Sequence, residues 1–255
     1  MQVKPTRIVE LTTPRGRNLK VLARTHPRAR YMRLTFDVDG PRLSTPRGTP
    51  TAQINDFLRA NAAWLDARLR EYERQGVRTT RPVPGVPDTL MWRGRLHLVR
   101  WEACSFPSVR AETGVVTIAL DLEHPEVEQI ARRAIGHFIA TQTQREVLRI
   151  VEKLTPQVGR PLHAVRIKPL RTLWGSLSVG STMTLDLALA LAPPFALEYV
   201  VAHELTHLRV RDHSPRFWSR CAELYPRTDE ARDWLSDYGH TVKAELSRWL
   251  GPRQA

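Results

Sequence analysis

The pattern His203-Glu204-Leu205-Thr206-His207 constrains this chain more than any other stretch. It lies within Glu198–Leu208, where Val200, Val201, Leu205 and Leu208 read as the buried side of a helix. Helical residues at i and i+4 share a face, so His203 and His207 can hold one metal ion between them. Glu204 follows the first histidine. Its carboxylate can reach a water in an open coordination position and act as general base. The plain alternative is a pair of core histidines on a packed helix.

A catalytic zinc site takes three protein ligands and leaves one position open. His213 is the candidate third ligand. Ser214-Pro215 directly after it reads as a helix start, with serine at the N-cap and proline in the first turn. His213 therefore falls in a turn between two helices, free to swing back toward the metal. The spacing equals that of the metzincin pattern HExxHxxGxxH, but Val210 stands where that pattern has glycine and no Met-turn follows. The turn must be built differently. Glu223 and Glu230 are the rival third ligands, and imidazole chemistry and proximity favour His213.

At 255 residues the chain can bury a sizeable core, and 42% hydrophobic with 25% charged residues is ordinary for a globular protein. The longest apolar run, Leu187–Ala192, stops at Pro193-Pro194, far short of a membrane span. The first residues lack the apolar segment of a signal peptide. The two cysteines, Cys104 and Cys221, are far apart and form no disulfide framework. A cytoplasmic protein without membrane attachment is expected. The net charge of +13 and pI of 10.7 suggest an acidic partner, nucleic acid or nucleotide. Against this, the arginines are scattered rather than clustered in runs, and arginine bias also follows genome composition.

In chain order, Arg7–Leu11 and Leu19–Leu22 suggest a hairpin, and Tyr31–Val38 leads through Asp39-Gly40-Pro41 to another strand near Leu43. A basic cluster, Arg24, His26, Arg28, Arg30 and Arg33, crosses this region. Thr49 or Thr51 can cap a helix with Ile54, Phe57, Leu58, Trp64 and Leu65 at core spacing, ended by Gly76. Residues 77–88 read as a linker or long loop. Strands follow at 89–92, 96–101 and Val115–Leu120. A long helix runs from Val127 to about Leu154, ended by Pro156 and Gly159. Three short strands are expected at Ala164–Lys168, Arg171–Ser178 and Thr182–Asp186. An edge strand beside a zinc helix can pair with an extended peptide, which makes Arg171, Trp174, Gly175 and Ser176 candidate substrate-binding residues. A final amphipathic helix spans Asp229–Leu250. His137, Tyr238 and His240 have no position that sequence alone fixes.

Three blocks resemble the YgjP-like family of predicted metal-dependent hydrolases (domain of unknown function 45), M48-like zincins related in fold to SprT-like domains. They are Arg171 with Trp174-Gly175-Ser176, Leu191–Pro194 running into Tyr199–His207, and His213–Trp218. The resemblance covers about residues 7–226. It implies a small α+β zincin core, Zn2+ at His203, His207 and His213, and Glu204 as base. Leu177 replaces the family's usual cysteine, which excludes a thiol role there, and Asp186 stands where many members have asparagine.

The expected fold is α+β: a β-rich N-terminal region with one long helix over 1–120, a zincin-like catalytic core over 121–226 with a small sheet and the HExxH helix, and a C-terminal helical extension over 227–255. The expected activity is that of a zinc metallopeptidase using a zinc-bound water. A nucleotide or phosphoanhydride hydrolase is one alternative, although no GxxxxGK[ST] phosphate loop is present. A DNA-associated SprT-like protease, or a basic nucleic-acid-binding protein, is another.

Overall fold

The computed structural model describes residues 7–27, 29–37, 40–74 and 80–251. Arg28, Val38-Asp39, Gly76 and residues 77–79 of the expected linker lie outside the described residues. The fold is mixed α and β, in two compact units, Met1–Thr79 and Thr80–Ala255.

In the first unit, β1 (Arg7–Thr12) and β2 (Asn18–Thr25) form the expected antiparallel hairpin. β2 then pairs in parallel with β4 (Gly40–Thr45), and β3 (Arg33–Asp37) closes the sheet, giving the order β1-β2-β4-β3. The expected single helix is two, α1 (Thr51–Ala60) and α2 (Ala62–Arg74), divided at Asn61. Asn61 donates its side-chain amide to the Phe57 carbonyl, a local bond that competes with the helix ladder. Neither threonine caps α1 through its side chain, and Pro50 holds the N-cap position. Leu11, Val21, Leu43, Ile54, Leu58 and Leu65 pack as one core, whereas Trp64 stays 39% exposed rather than joining it.

The second unit contains two sheets. One has the order β5-β6-β8-β7, from β5 (Asp88–Trp92), β6 (Arg95–Ala103), β7 (Ser108–Glu112) and β8 (Val115–Leu120). The other has the order β10-β11-β9, from β9 (Ala164–Lys168), β10 (Gly175–Leu177) and β11 (Thr182–Asp186). Both pack on α3 (Val127–Val158), α4 (Pro194–Thr206), α5 (Pro215–Leu224) and α6 (Thr228–Leu250) around one core. That core takes Leu90, Val116 and Ile118 from the first sheet, Ile139 from α3, Val201 from α4 and Val242 from α6. The two compact units meet at Thr79/Thr80, and α6 contributes Ala231, Leu235, Val242, Leu246 and Trp249 to this core.

Pro156 lies inside the last turn of α3, and Gly159 ends the helix in the left-handed region at φ 66°. The strand expected over Arg171–Ser178 shrinks to Gly175–Leu177, an edge strand antiparallel to β11. The start of α4 is pinned by the β5–β6 turn, where the Arg93 and Gly94 amides donate to the Ala190 and Leu191 carbonyls at 3.2 and 2.9 Å. Gly94 has φ +77°, and a Cβ there would sit 2.7 Å from Pro193 Cγ, so only glycine fits. Pro194 occupies the first turn, as the sequence suggests. Among the described residues no helix is long and apolar enough to cross a membrane.

Candidate metal centre

Helix α4 carries His203 and Glu204 on its last turn and ends at Thr206, so His207 is the C-cap and not an interior residue. The chain then turns through Leu208–Asp212, and the Leu208, Arg209 and Val210 amides donate back to the Leu205 and Thr206 carbonyls. The turn brings His213 to the other two histidines just before Pro215 starts α5. Ser214 is the N-cap, with its amide accepted by Asp212 Oδ1 instead of capping through its own hydroxyl.

The three imidazoles offer ligand atoms that all lie within 4.8 Å of one another. His203 Nε2 and His213 Nε2 are 3.1 Å apart. The other ring nitrogens are engaged away from this point: His203 Nδ1 faces the Tyr199 hydroxyl at 3.3 Å, and His207 Nδ1 faces the Val210 carbonyl at 3.0 Å. A proton on each Nδ1 satisfies these bonds and leaves both Nε2 lone pairs free for a metal. Phe217 of α5, fully buried, packs its ring 4.5 to 4.8 Å from all three imidazole centroids. Trp218 packs beside His203 and His213, with the Arg232 guanidinium 4.3 Å over its ring.

The electrostatics favour neutral imidazoles at His203 and His207. Burial, with His207 and His213 as neighbours, pushes His203 down to about 3, and burial also lowers His207. Glu204 is 4% exposed, and burial pushes its carboxyl up to about 8. Its Oε2 is buried with no hydrogen-bond partner among the described residues. A cleft of about 440 Å³ joins the three histidines and Glu204 to Leu173, Trp174, Gly175, Ser176, Tyr199 and Arg211. Three imidazole nitrogens beside an unsatisfied carboxyl oxygen suit a divalent metal with a water at an open position.

Arg171 lies outside this cleft, while Trp174, Gly175 and Ser176 line it. The rival ligands are engaged elsewhere. Glu223 accepts from Ser219 and pairs with Arg220, and Glu230 is held by both arms of Arg227 at 2.7 and 2.6 Å. His137, Tyr238 and His240 are not among the residues lining the cleft. The sequence signal for Tyr199, Phe217 and Trp218 is their spacing alone, i−4 from His203 and i+4 and i+5 from His213.

The YgjP-like, metallopeptidase domain model matches residues 30–238, well over half the chain. The chain belongs to the YgjP-like metallopeptidase family. It is thus a metal-dependent peptide hydrolase by family, and its histidine cluster is a place where a metal could bind. Among solved structures it is similar to two metallopeptidase zymogens. Abylysin of Pyrococcus abyssi is 29% identical over 35% of this chain and 90% of that one, with a TM-score of 0.33. Jannalysin of Methanocaldococcus jannaschii is 19% identical over 35% and 93%, with a TM-score of 0.32. No curated protein matches the chain.

Within this YgjP-like site, β10 runs directly against Glu204. A Cβ on Gly175 would lie 2.5 Å from Glu204 Oε1 and 2.8 Å from its Cγ. Gly175→Ala is therefore expected to displace the carboxylate rather than the backbone. Hydrolysis should fall by about 10²-fold, the cost of a misplacement near 1 Å, with metal content and thermal midpoint close to wild type. Wild-type activity in the variant would mean that the glycine is not needed for this approach.

Proposed function

We propose that the chain is a zinc-dependent peptidase in which His203, His207 and His213 hold the metal and Glu204 is the general base, acting on peptides or proteins. The observation that carries this reading is the convergence of three imidazoles beside a buried carboxylate whose Oε2 has no hydrogen-bond partner among the described residues. Zinc bound by such a set brings the pKa of a water toward neutrality and polarises a carbonyl. Glu204 takes the proton of the attacking water and delivers it to the leaving amine nitrogen. Tyr199 and the Val210 carbonyl orient His203 and His207. The edge strand β10 offers unpaired backbone groups along which an extended substrate can lie.

Elemental analysis of wild type and His213→Ala, with zinc added at controlled concentration, tests the ligand set. About one zinc per chain is expected in the wild type. The variant should bind more than ~100-fold more weakly, beyond the 10- to 100-fold typical of outer-shell changes. Undiminished zinc affinity in the variant would remove His213 from the set.

A further inference from the structure

The segment between β9 and β10 has no ladder of its own, and its carbonyls are satisfied from the far end of the chain. Lys243, on α6, donates from Nζ to the Leu173 carbonyl at 3.0 Å and approaches those of Leu170 and Arg171 at 3.4 and 3.5 Å. The same ammonium lies 4.3 Å from the centroid of the Trp174 ring and 2.7 Å from Asp186 Oδ2. Asp186 is fully buried, and its Oδ1 accepts the Leu170 and Ala188 amides at 3.2 and 3.1 Å. One turn earlier on α6, Gly239 makes room for the indole: a Cβ there would collide with Trp174 Cζ2. Gly239 and Lys243 are i and i+4 on one helix face, and both lie beyond the family match that ends at residue 238. Residue 175, the next after this clamped segment, is the glycine that lies against Glu204.

We infer that Lys243 is a positioning residue for the cleft: by gripping residues 170–174 it sets where β10 stands against Glu204 and where a substrate strand would lie. The inference rests on the proposed role of Glu204. The alternative is that Lys243 only neutralises the buried Asp186 charge, a structural task with no bearing on β10.

Three variants of the full-length, zinc-loaded protein separate these readings: Lys243→Met, Asp186→Asn and the double substitution. Asparagine at 186 keeps an oxygen for the Leu170 and Ala188 amides while removing the charge. Hydrogen exchange of residues 170–178 and of 194–213 is followed beside zinc content and the hydrolysis of fluorescein-labelled casein. In Lys243→Met, exchange should quicken at 170–178 and stay unchanged at 194–213, and zinc should remain at one per chain. The kcat/KM should fall about tenfold to 10²-fold. In the double variant the thermal midpoint should recover, because no buried charge is left unpaired, but the rapid exchange and the low kcat/KM should persist. Recovery of all three in the double variant would reduce Lys243 to a neutralising partner and overturn the inference. Wild-type exchange at 170–178 in Lys243→Met would do the same. If the wild-type protein cleaves no casein, the proposed activity on this substrate fails, and the exchange arms still decide whether Lys243 positions β10.

Discussion

Glu204→Gln should leave zinc binding intact and lower peptide hydrolysis by about 10²- to 10⁴-fold, the range that a positioned general base contributes. Glutamine keeps the shape of the side chain beside Gly175 but cannot accept a proton. The three imidazoles are untouched, since Glu204 is not among the clustered donors. Stability of the metal-free protein gives a second readout with a definite sign. Burial raises the Glu204 carboxyl from 4.5 to about 8, so between those values the folded state binds more protons than the unfolded one. Stability of the metal-free wild type from this group therefore falls as pH rises through that window. Glu204→Gln removes the dependence, and its metal-free midpoint at pH 8 should lie above that of the wild type. Hydrolysis at the wild-type rate by the zinc-loaded variant would rule out Glu204 as base.

The parts of this site legible in the sequence are those set by local spacing. His203 and His207 are one helical turn apart, and His213 is placed by the Ser214-Pro215 helix start that follows it. What the sequence hides is where elements meet. Phe217 beneath all three imidazoles follows from the packing of α5 on α4, and the Tyr199 bond to His203 depends on side-chain direction within α4. The helix itself stops at Thr206, earlier than its apolar pattern suggests, because Val210 must turn back to receive His207. β7 is hidden in the sequence for a different reason: Ser108–Glu112 is half-exposed at a sheet edge, with too little apolar alternation to mark a strand. The place of α6 is the least legible feature: its amphipathic face is visible in the sequence, but Asp186, Leu173 and Asp88, which hold Lys243 and Arg248, lie 57 to 160 positions upstream, and no periodicity reports pairings of that range.

Arg248→Met is the substitution expected to cost the most stability. The guanidinium is 2% exposed and donates in three directions at once. It reaches Glu245 at 2.9 Å on both oxygens, Asp88 Oδ2 at 2.7 Å, and the Thr89 carbonyl at 2.7 Å. Glu245 Oε1 also accepts the Trp249 indole N–H at 3.0 Å. Through these bonds the last turns of α6 are fixed to β5, the strand whose following turn braces the entry to α4. Methionine fills similar volume but takes the Arg248 cation away from a carboxylate that is 8% exposed and another that is 17% exposed. Breaking a buried pair in this way costs about 3–5 kcal/mol. For a unit of this size that corresponds to a drop of roughly 10 °C in midpoint. Arg248→Lys should fall between, since an ammonium cannot reproduce the planar fork that serves two carboxylates and a carbonyl together. Glu245→Met combined with Arg248→Met should recover part of the loss by removing the more buried of the two carboxylates. A midpoint within a degree or two of wild type in Arg248→Met alone would mean that the network adds little to the hold of α6 on β5.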